Sequence, residues 1–373
     1  MTKTVQSIKS SIVRRRFRRA LAPCTVIVMA AILTSLAPAE VPVHSHGKPL
    51  SRDRHLRGRQ VKVMIVSMFG PEGQVWLDKL GPWQAVKIPG LSPDYPDIHC
   101  NVQDVCVMTT GMGHASAAAS MMAVTFFSTF DLRRTYFVIA VVAGIDPMQG
   151  TLGSAAWAKY LVDFGIQWEI DAREKPDGWP SGFLGINTKS PEEKPILEYQ
   201  TEVFALNPEL VDTAFTLSRN VDLADSAQAQ ATRARFGEAP ANRAPTVLQC
   251  DTLSSDIWWS GKYIGERARS WTRQLTDGHG TYCTTQQEDN ATYEALKRAA
   301  STGRIDLKRV AALRTGSDFD RPRDGQSASD NLITSGSQGG YEPAIENLYR
   351  AGNPLVRDIA THWDRWRNGV PLR

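Results

Sequence analysis

Residues 135–145, TYFVIAVVAGI, hold the fold of this chain within narrow limits. No charge interrupts the run, β-branched and aromatic side chains dominate it, and it is about half the length a helix needs to cross a bilayer. A strand that is apolar at every position has both faces covered. VKVMIVSMF at 61–69 reads the same way, and DIHCNV (97–102) with DVCVMTT (104–110) predicts a strand pair followed by a helix to about residue 128. Further strands are expected in SAAWAKYLVDFGIQWEI (154–170), APTVLQCDTLS (244–254) and RVAALRTGSDF (309–319). Helical patterns follow in PELVDTAFTLSRNV (208–221), NATYEALKRAAS (290–301) and residues 341–366. This alternation predicts an α/β fold, a three-layer α/β/α sandwich with a central mixed, twisted sheet, as one domain over residues 61–373. Residues 171–206, rich in Pro, Gly and Trp, are expected to be a long ordered insertion.

The first 39 residues are of another kind. RRRFRR precedes the apolar run ALAPCTVIVMAAILTSLAPA, and APA ending at Ala39 fits a small-x-small cleavage site. An export signal is therefore expected, with the body of the protein periplasmic or extracellular; an uncleaved N-terminal membrane anchor is the alternative. Residues 40–60 read as a flexible polar spacer. The formal charge of +4 belongs to the leader: residues 1–39 hold seven Lys and Arg and no acid, so the rest has 36 basic against 39 acidic residues, a net of −3. Such a body has no nucleic-acid footprint. Beyond the leader, Cys100, Cys106, Cys250 and Cys283 permit disulfides without assigning pairs. No CxxC occurs and the histidine spacings fit no metal site, so neither metal nor cofactor is expected.

TTGMGHASAAAS (109–120) leaves an apolar strand through Gly111 and Gly113 into an alanine-rich helix. Free N–H groups at a helix start attract something polar: a phosphate, a sugar, or nothing. The third glycine of a dinucleotide fingerprint is missing.

Three later loops carry a resemblance. TVLQCDTLSSDIWWSG (246–261) resembles the Ser-x-Asp-Leu-Phe-Tyr-Ser loop of purine nucleoside phosphorylases. QQEDNA (286–291) resembles their Met-Glu-x-Ala-Ala helix start, and ALRTGSDF (312–319) their strand ending in Ser-Asp. Through VSMFGPEGQVW, TTGMG, AGIDP, EIDARE, WWSG and AIENLYRAG the chain is similar to the purine nucleoside permease (NUP) family. The resemblance implies a purine nucleoside as ligand and, by analogy, a homo-oligomer. It gives Asp318 the purine N7 contact and Glu288 the ribose 2′- and 3′-hydroxyls. It gives Leu253 the base-stacking position, with Ser254 and Trp258 in the same base pocket. Gly111, Gly113 and Thr110 would lie beside the ribose and the nucleophile. Glu72 stands one residue beyond the water-activating glutamate of nucleosidases, and Asp146 adds a polar group at the same strand end.

These roles make chemical sense. Breaking a purine N-glycosidic bond needs a proton for the departing base and stabilisation of an oxocarbenium-like sugar. Phosphorolysis would add phosphate as co-substrate and a guanidinium to hold it. No Arg occurs in residues 135–165: Ala140 and Val141 stand where the phosphorylase cation would be, and Arg133 and Arg134 fall at the other strand end. Hydrolysis is therefore favoured over phosphorolysis. The family name implies an alternative, a nucleoside-binding component that serves a separate membrane carrier without catalysis.

Overall fold

The computed structural model describes residues 58–127 and 129–371; the expected export signal and all but the end of the expected spacer lie outside them. Regular structure is already present just ahead of the expected first strand. Arg59–Gln60 (β1) pairs in parallel with Phe130–Asp131 (β6), so the last residues assigned to the spacer belong to the domain. Then come Val63–Ser67 (β2), Gly70–Leu80 (α1), Gln84–Lys87 (β3), Asp97–Cys100 (β4), Val105–Thr109 (β5) and Gly113–Phe126 (α2). The ten-residue strand Tyr136–Ile145 (β7) is followed by Ala155–Ala158 (β8) and Tyr160–Asp163 (β9). The expected insertion holds mostly turns: Trp168–Glu169 (β10) pairs with Phe183–Leu184 (β11), and Val203–Ala205 (β12) returns to the main sheet beside β9.

The second half runs Pro208–Ser218 (α3), Ala227–Arg233 (α4), Val247–Gln249 (β13), Asp251–Ser254 (β14), Lys262–Leu275 (α5), Tyr282–Gln286 (β15) and Asp289–Ser301 (α6). It closes with Val310–Phe319 (β16), Ala328–Ile333 (α7), Tyr341–Thr361 (α8) and Trp363–Trp366 (α9). Among the described residues no helix is long and apolar enough to cross a membrane.

The main sheet is mixed and open, in the order β12-β9-β14-β15-β7-β2-β5-β4-β3, with β16 lying between β7 and β8 as a branch. β2 leads through α1 to the edge strand β3, from which β4 and β5 return antiparallel to set β5 beside β2, and β5 crosses back past β2 to β7 through α2. Right-handed crossovers in opposite directions put α1 and α2 on opposite faces, which makes three layers. α8 packs on β16, β7, α1 and α3, and α6 packs on α2. Trp76 of α1 is fully buried, and it fits only because residue 352 of α8 is glycine: a Cβ there would sit 2.7 Å from the indole.

The structure also assigns the cysteines. Cys100–Cys106 ties β4 to β5, and Cys250–Cys283 ties the break between β13 and β14 to β15.

Candidate active site

A cavity of about 360 Å³ opens where β2, β7, β14, β15 and β16 all end. Most of its wall is apolar, from Met68, Phe69, Val141, Trp258, Trp259 and Tyr341 among others, and no Lys, Arg or His side chain of the described residues lines it. Four acids do: Glu72, Glu288, Asp318 and Asp320.

Glu72 lies in the first turn of α1, a helix absent from the sequence expectations, and is completely buried. Its Oε2 accepts from the N–H of Met68 (2.8 Å) and of Phe69 (3.3 Å). β2 pairs with β7 only as far as Val66↔Ile139, which leaves the Val142 N–H open, and Glu72 Oε1 accepts it at 2.9 Å. Burial pushes the Glu72 carboxyl up to about 8, against the pull of the Met68 and Val142 N–H groups.

Asp318 reaches the cavity through a bulge. Gly316 pairs with Ala143 and Asp318 with Gly144, so Ser317 is the extra residue that re-aims the strand end. Ser317 Oγ lies 2.7 Å from Asp318 Oδ1 and donates to it. Burial raises Asp318 to about 6, with the Ser317 bond opposing and the Asp320 charge adding. Glu288 precedes α6, and its own burial also raises it, opposed mainly by Arg314.

The turn at Gly111 and Gly113 (φ +87° and +85°) turns out to be filled from within. Gly113 N–H donates to Glu288 Oε1 at 3.1 Å, and His114 N–H donates to Asp256 Oδ1 at 2.8 Å. The start of α2 therefore holds two carboxylates of the protein itself. Met112, between the two glycines, lines the cavity; the glycines and Thr110 do not. The Thr110 hydroxyl is spent on Gly111 O at 2.8 Å.

Leu253 and Ser254 need correcting as base-pocket residues. β14 is buried along its whole length, and Leu253 packs with Val162, Phe164 and Trp271 in an inner cluster. Ser254 Oγ is enclosed by Asn290 and Gln286. Trp258, more than half exposed, and buried Trp259 supply the aromatic wall instead. Asp146 also stands outside the cavity: Arg269 grips both of its oxygens, at 2.7 and 2.8 Å.

Two features escaped the sequence reading. The first is Arg314, completely buried in β16 and registered against Val141, one strand over from where a cation had been sought. Its Nε and Nη2 bond to Asp289, and Nη1 has no partner. Its charge pulls down both Glu72 and Glu288. The second is Asp320, which accepts from Tyr282 Oη at 2.7 Å and Arg321 Nε at 2.7 Å, forming a polar back wall beside Asp318.

Gly144 keeps the floor open. A Cβ there would lie 3.1 Å from Thr285 Cγ2 and 3.7 Å from Asp318 Oδ2. Gly144→Ala is expected to weaken ligand binding about tenfold by narrowing the space at Asp318, while melting within a few degrees of the parent. Calorimetric titration with a nucleoside, alongside a thermal melt, checks both.

An open α/β sheet that gathers buried carboxyls around a cavity at its strand ends defines a small-molecule protein of the three-layer α/β class. The chain belongs to the purine nucleoside permease (NUP) family, whose profile matches residues 60–371. A probable purine nucleoside permease of Schizosaccharomyces pombe is 39% identical over 319 residues, 82% of this chain and 90% of that protein. A purine nucleoside permease of Candida albicans is 36% identical over 355 residues, 92% of this chain and 86% of that protein. Among solved structures, futalosine hydrolase of Helicobacter pylori aligns over 80% of this chain and 98% of its own at TM-score 0.48 and 12% identity. A 5′-methylthioadenosine/S-adenosylhomocysteine nucleosidase of Neisseria meningitidis aligns over 78% and 98% at TM-score 0.43 and 11% identity.

Proposed function

We propose that this protein binds purine nucleosides and hydrolyses their N-glycosidic bond. One observation carries the reading: Glu72, Glu288 and Asp318, from three separate parts of the chain, line a single largely apolar cavity. In the proposed reaction a water oxygen attacks C1′ as the C1′–N9 bond breaks, its electron pair passing to the purine. Asp318 gives its proton to N7 of the departing base. Glu72 takes the proton released by the water, and Glu288 accepts from the ribose hydroxyls and faces the positive charge growing at C1′.

The lack of a cationic side chain on the cavity wall supports hydrolysis over phosphorolysis, since Arg314 is enclosed and engaged by Asp289. The two disulfides support the exported location expected from the leader. A second reading, nucleoside capture for a separate carrier, draws on the names of the family and of its curated relatives.

The test follows free base released from inosine, adenosine and guanosine by the protein, with and without phosphate. Release that needs no phosphate is expected. Release only with phosphate would replace hydrolysis by phosphorolysis, and tight binding without release would favour the transport reading.

A further inference from the structure

The loop after β14 carries part of the cavity wall on an exposed tip. Its two ends are anchored: Ser255 N–H donates to Gln286 O at 2.8 Å, Trp259 is buried against Phe164 and Tyr282, and Gly261 N–H donates to Asp320 O at 3.0 Å. Between these anchors, Ile257 and Trp258 are 65% and 58% exposed although both line the cavity. Ile257 N–H bonds only within the loop, to Ser255 Oγ.

The polar contacts that join residues 256–258 to the rest of the described structure all run through Asp256. Its Oδ1 accepts the His114 N–H at 2.8 Å and lies 3.1 Å from His114 Nδ1. Its carbonyl accepts from Gln287 Nε2 at 2.8 Å. An exposed ion pair alone would contribute little. The carboxylate, however, also meets a backbone N–H in the first turn of α2, a 14-residue helix, where the helix dipole favours a negative charge. Asp256 thus fastens one rim of the cavity mouth, Ile257 and Trp258, to the other rim, Met112 and the glycine turn.

We propose that Asp256 is a positioning residue, the latch that holds the Ile257–Trp258 tip over the bound purine. The inference rests on the proposed purine-nucleoside reading for its ligand, though not for its geometry. With the latch made, the aromatic wall is ordered before the ligand arrives, and binding does not have to order it. Without it, the tip samples open positions, and apparent affinity falls by the fraction of time it is closed.

The experiment compares the parent, Asp256→Ala and Asp256→Asn on the full chain, by two readouts. The first is inosine binding by titration calorimetry, with KM and kcat where turnover is seen. Asp256→Ala is expected to raise Kd and KM about tenfold with kcat little changed. Asp256→Asn keeps an oxygen for the His114 N–H and should recover most of that loss. The second readout needs no ligand: acrylamide quenching of the Trp258 emission, isolated by subtracting the same measurement on Trp258→Phe versions of each protein. Quenching of Trp258 should steepen in Asp256→Ala and return toward the parent in Asp256→Asn. If it is unchanged in Asp256→Ala while the melting temperature is also unchanged, the latch is overturned. A parent protein that binds no inosine, adenosine or guanosine would sink the proposed function, and the quenching comparison would still decide the latch.

Discussion

Asp318→Asn is expected to slow purine release at least about a hundredfold while inosine binding stays within about threefold of the parent. Asparagine has the shape of aspartate and can still accept from Ser317 Oγ, so the bulged strand end has no reason to move. What it lacks is a proton to transfer to the leaving base. Burial holds the Asp318 carboxyl at about 6, far enough above an ordinary aspartate for the protonated form to persist toward neutrality. Because the proposed base titrates at about 8, loss of the Asp318 proton should appear as an alkaline limb above about pH 8 in parental turnover, and the residual turnover of the variant should lose that limb. Chromatographic detection of the free base across pH 5–9 measures both. A variant that keeps parental kcat would remove Asp318 from the chemistry.

Glu72→Gln should be more damaging, lowering kcat about a thousandfold, because no other group that lines the cavity beside β2 can take the proton from water. The pH dependence has a particular form. The proposed base titrates at about 8 and the proposed acid at about 6, so the productive form, with Asp318 protonated and Glu72 ionised, peaks near pH 7. Two ordinary titrations of that kind leave about one molecule in a hundred productive there. The rate profile should be a bell with limbs near those two values, and the residual turnover of Glu72→Gln should lose the acid-side limb.

Stability gives an independent check on the same group. Glu72 has a folded-state value above its unfolded one, so its favourable contribution is complete below about 4.5 and is lost as pH rises through about 8. Glutamine has no such loss. Relative to the parent, Glu72→Gln should therefore gain about 3 kcal/mol of stability between pH 6 and pH 9, read from denaturant melts at each pH. A stability difference that does not change with pH would mean that Glu72 is not held protonated.

Much of the architecture is legible in the sequence because strands covered on both faces leave nearly unbroken apolar runs, as in β2 and β7. The same property hides which way each side chain points. In β14 every residue is buried, so no alternation distinguishes the cavity side from the inner side, and Leu253 was assigned to the wrong one. Glu72, Glu288 and Asp318 could be singled out because each stands at or just beyond a strand end within a recognisable motif. The role of the glycine turn was less accessible: that it receives Glu288 and Asp256, from residues more than a hundred positions away, is a fact of tertiary structure. Arg314 did leave a signal, as the only Lys or Arg within a wholly buried strand among the described residues, but the cation was sought on β7 and not on its neighbour. Asp320 was masked by its arginine-rich surroundings, RPRD, which read as a surface turn.

The position of β16 has a consequence for how the protein matures. It is the last strand of the chain, yet it is inserted between β7 and β8, which are made far earlier. Asp318, Asp320 and Arg314 all arrive with it, while Glu72 belongs to α1, more than two hundred residues earlier. A chain can thus collapse around β2, β5 and β7 and still hold only part of the proposed active site. The proposed site is complete only once β16 has docked, through a long-range pairing of the kind that forms slowly. In refolding from denaturant, recovery of turnover would report the docking of that final strand, and should lag behind the recovery of helical signal from the first half.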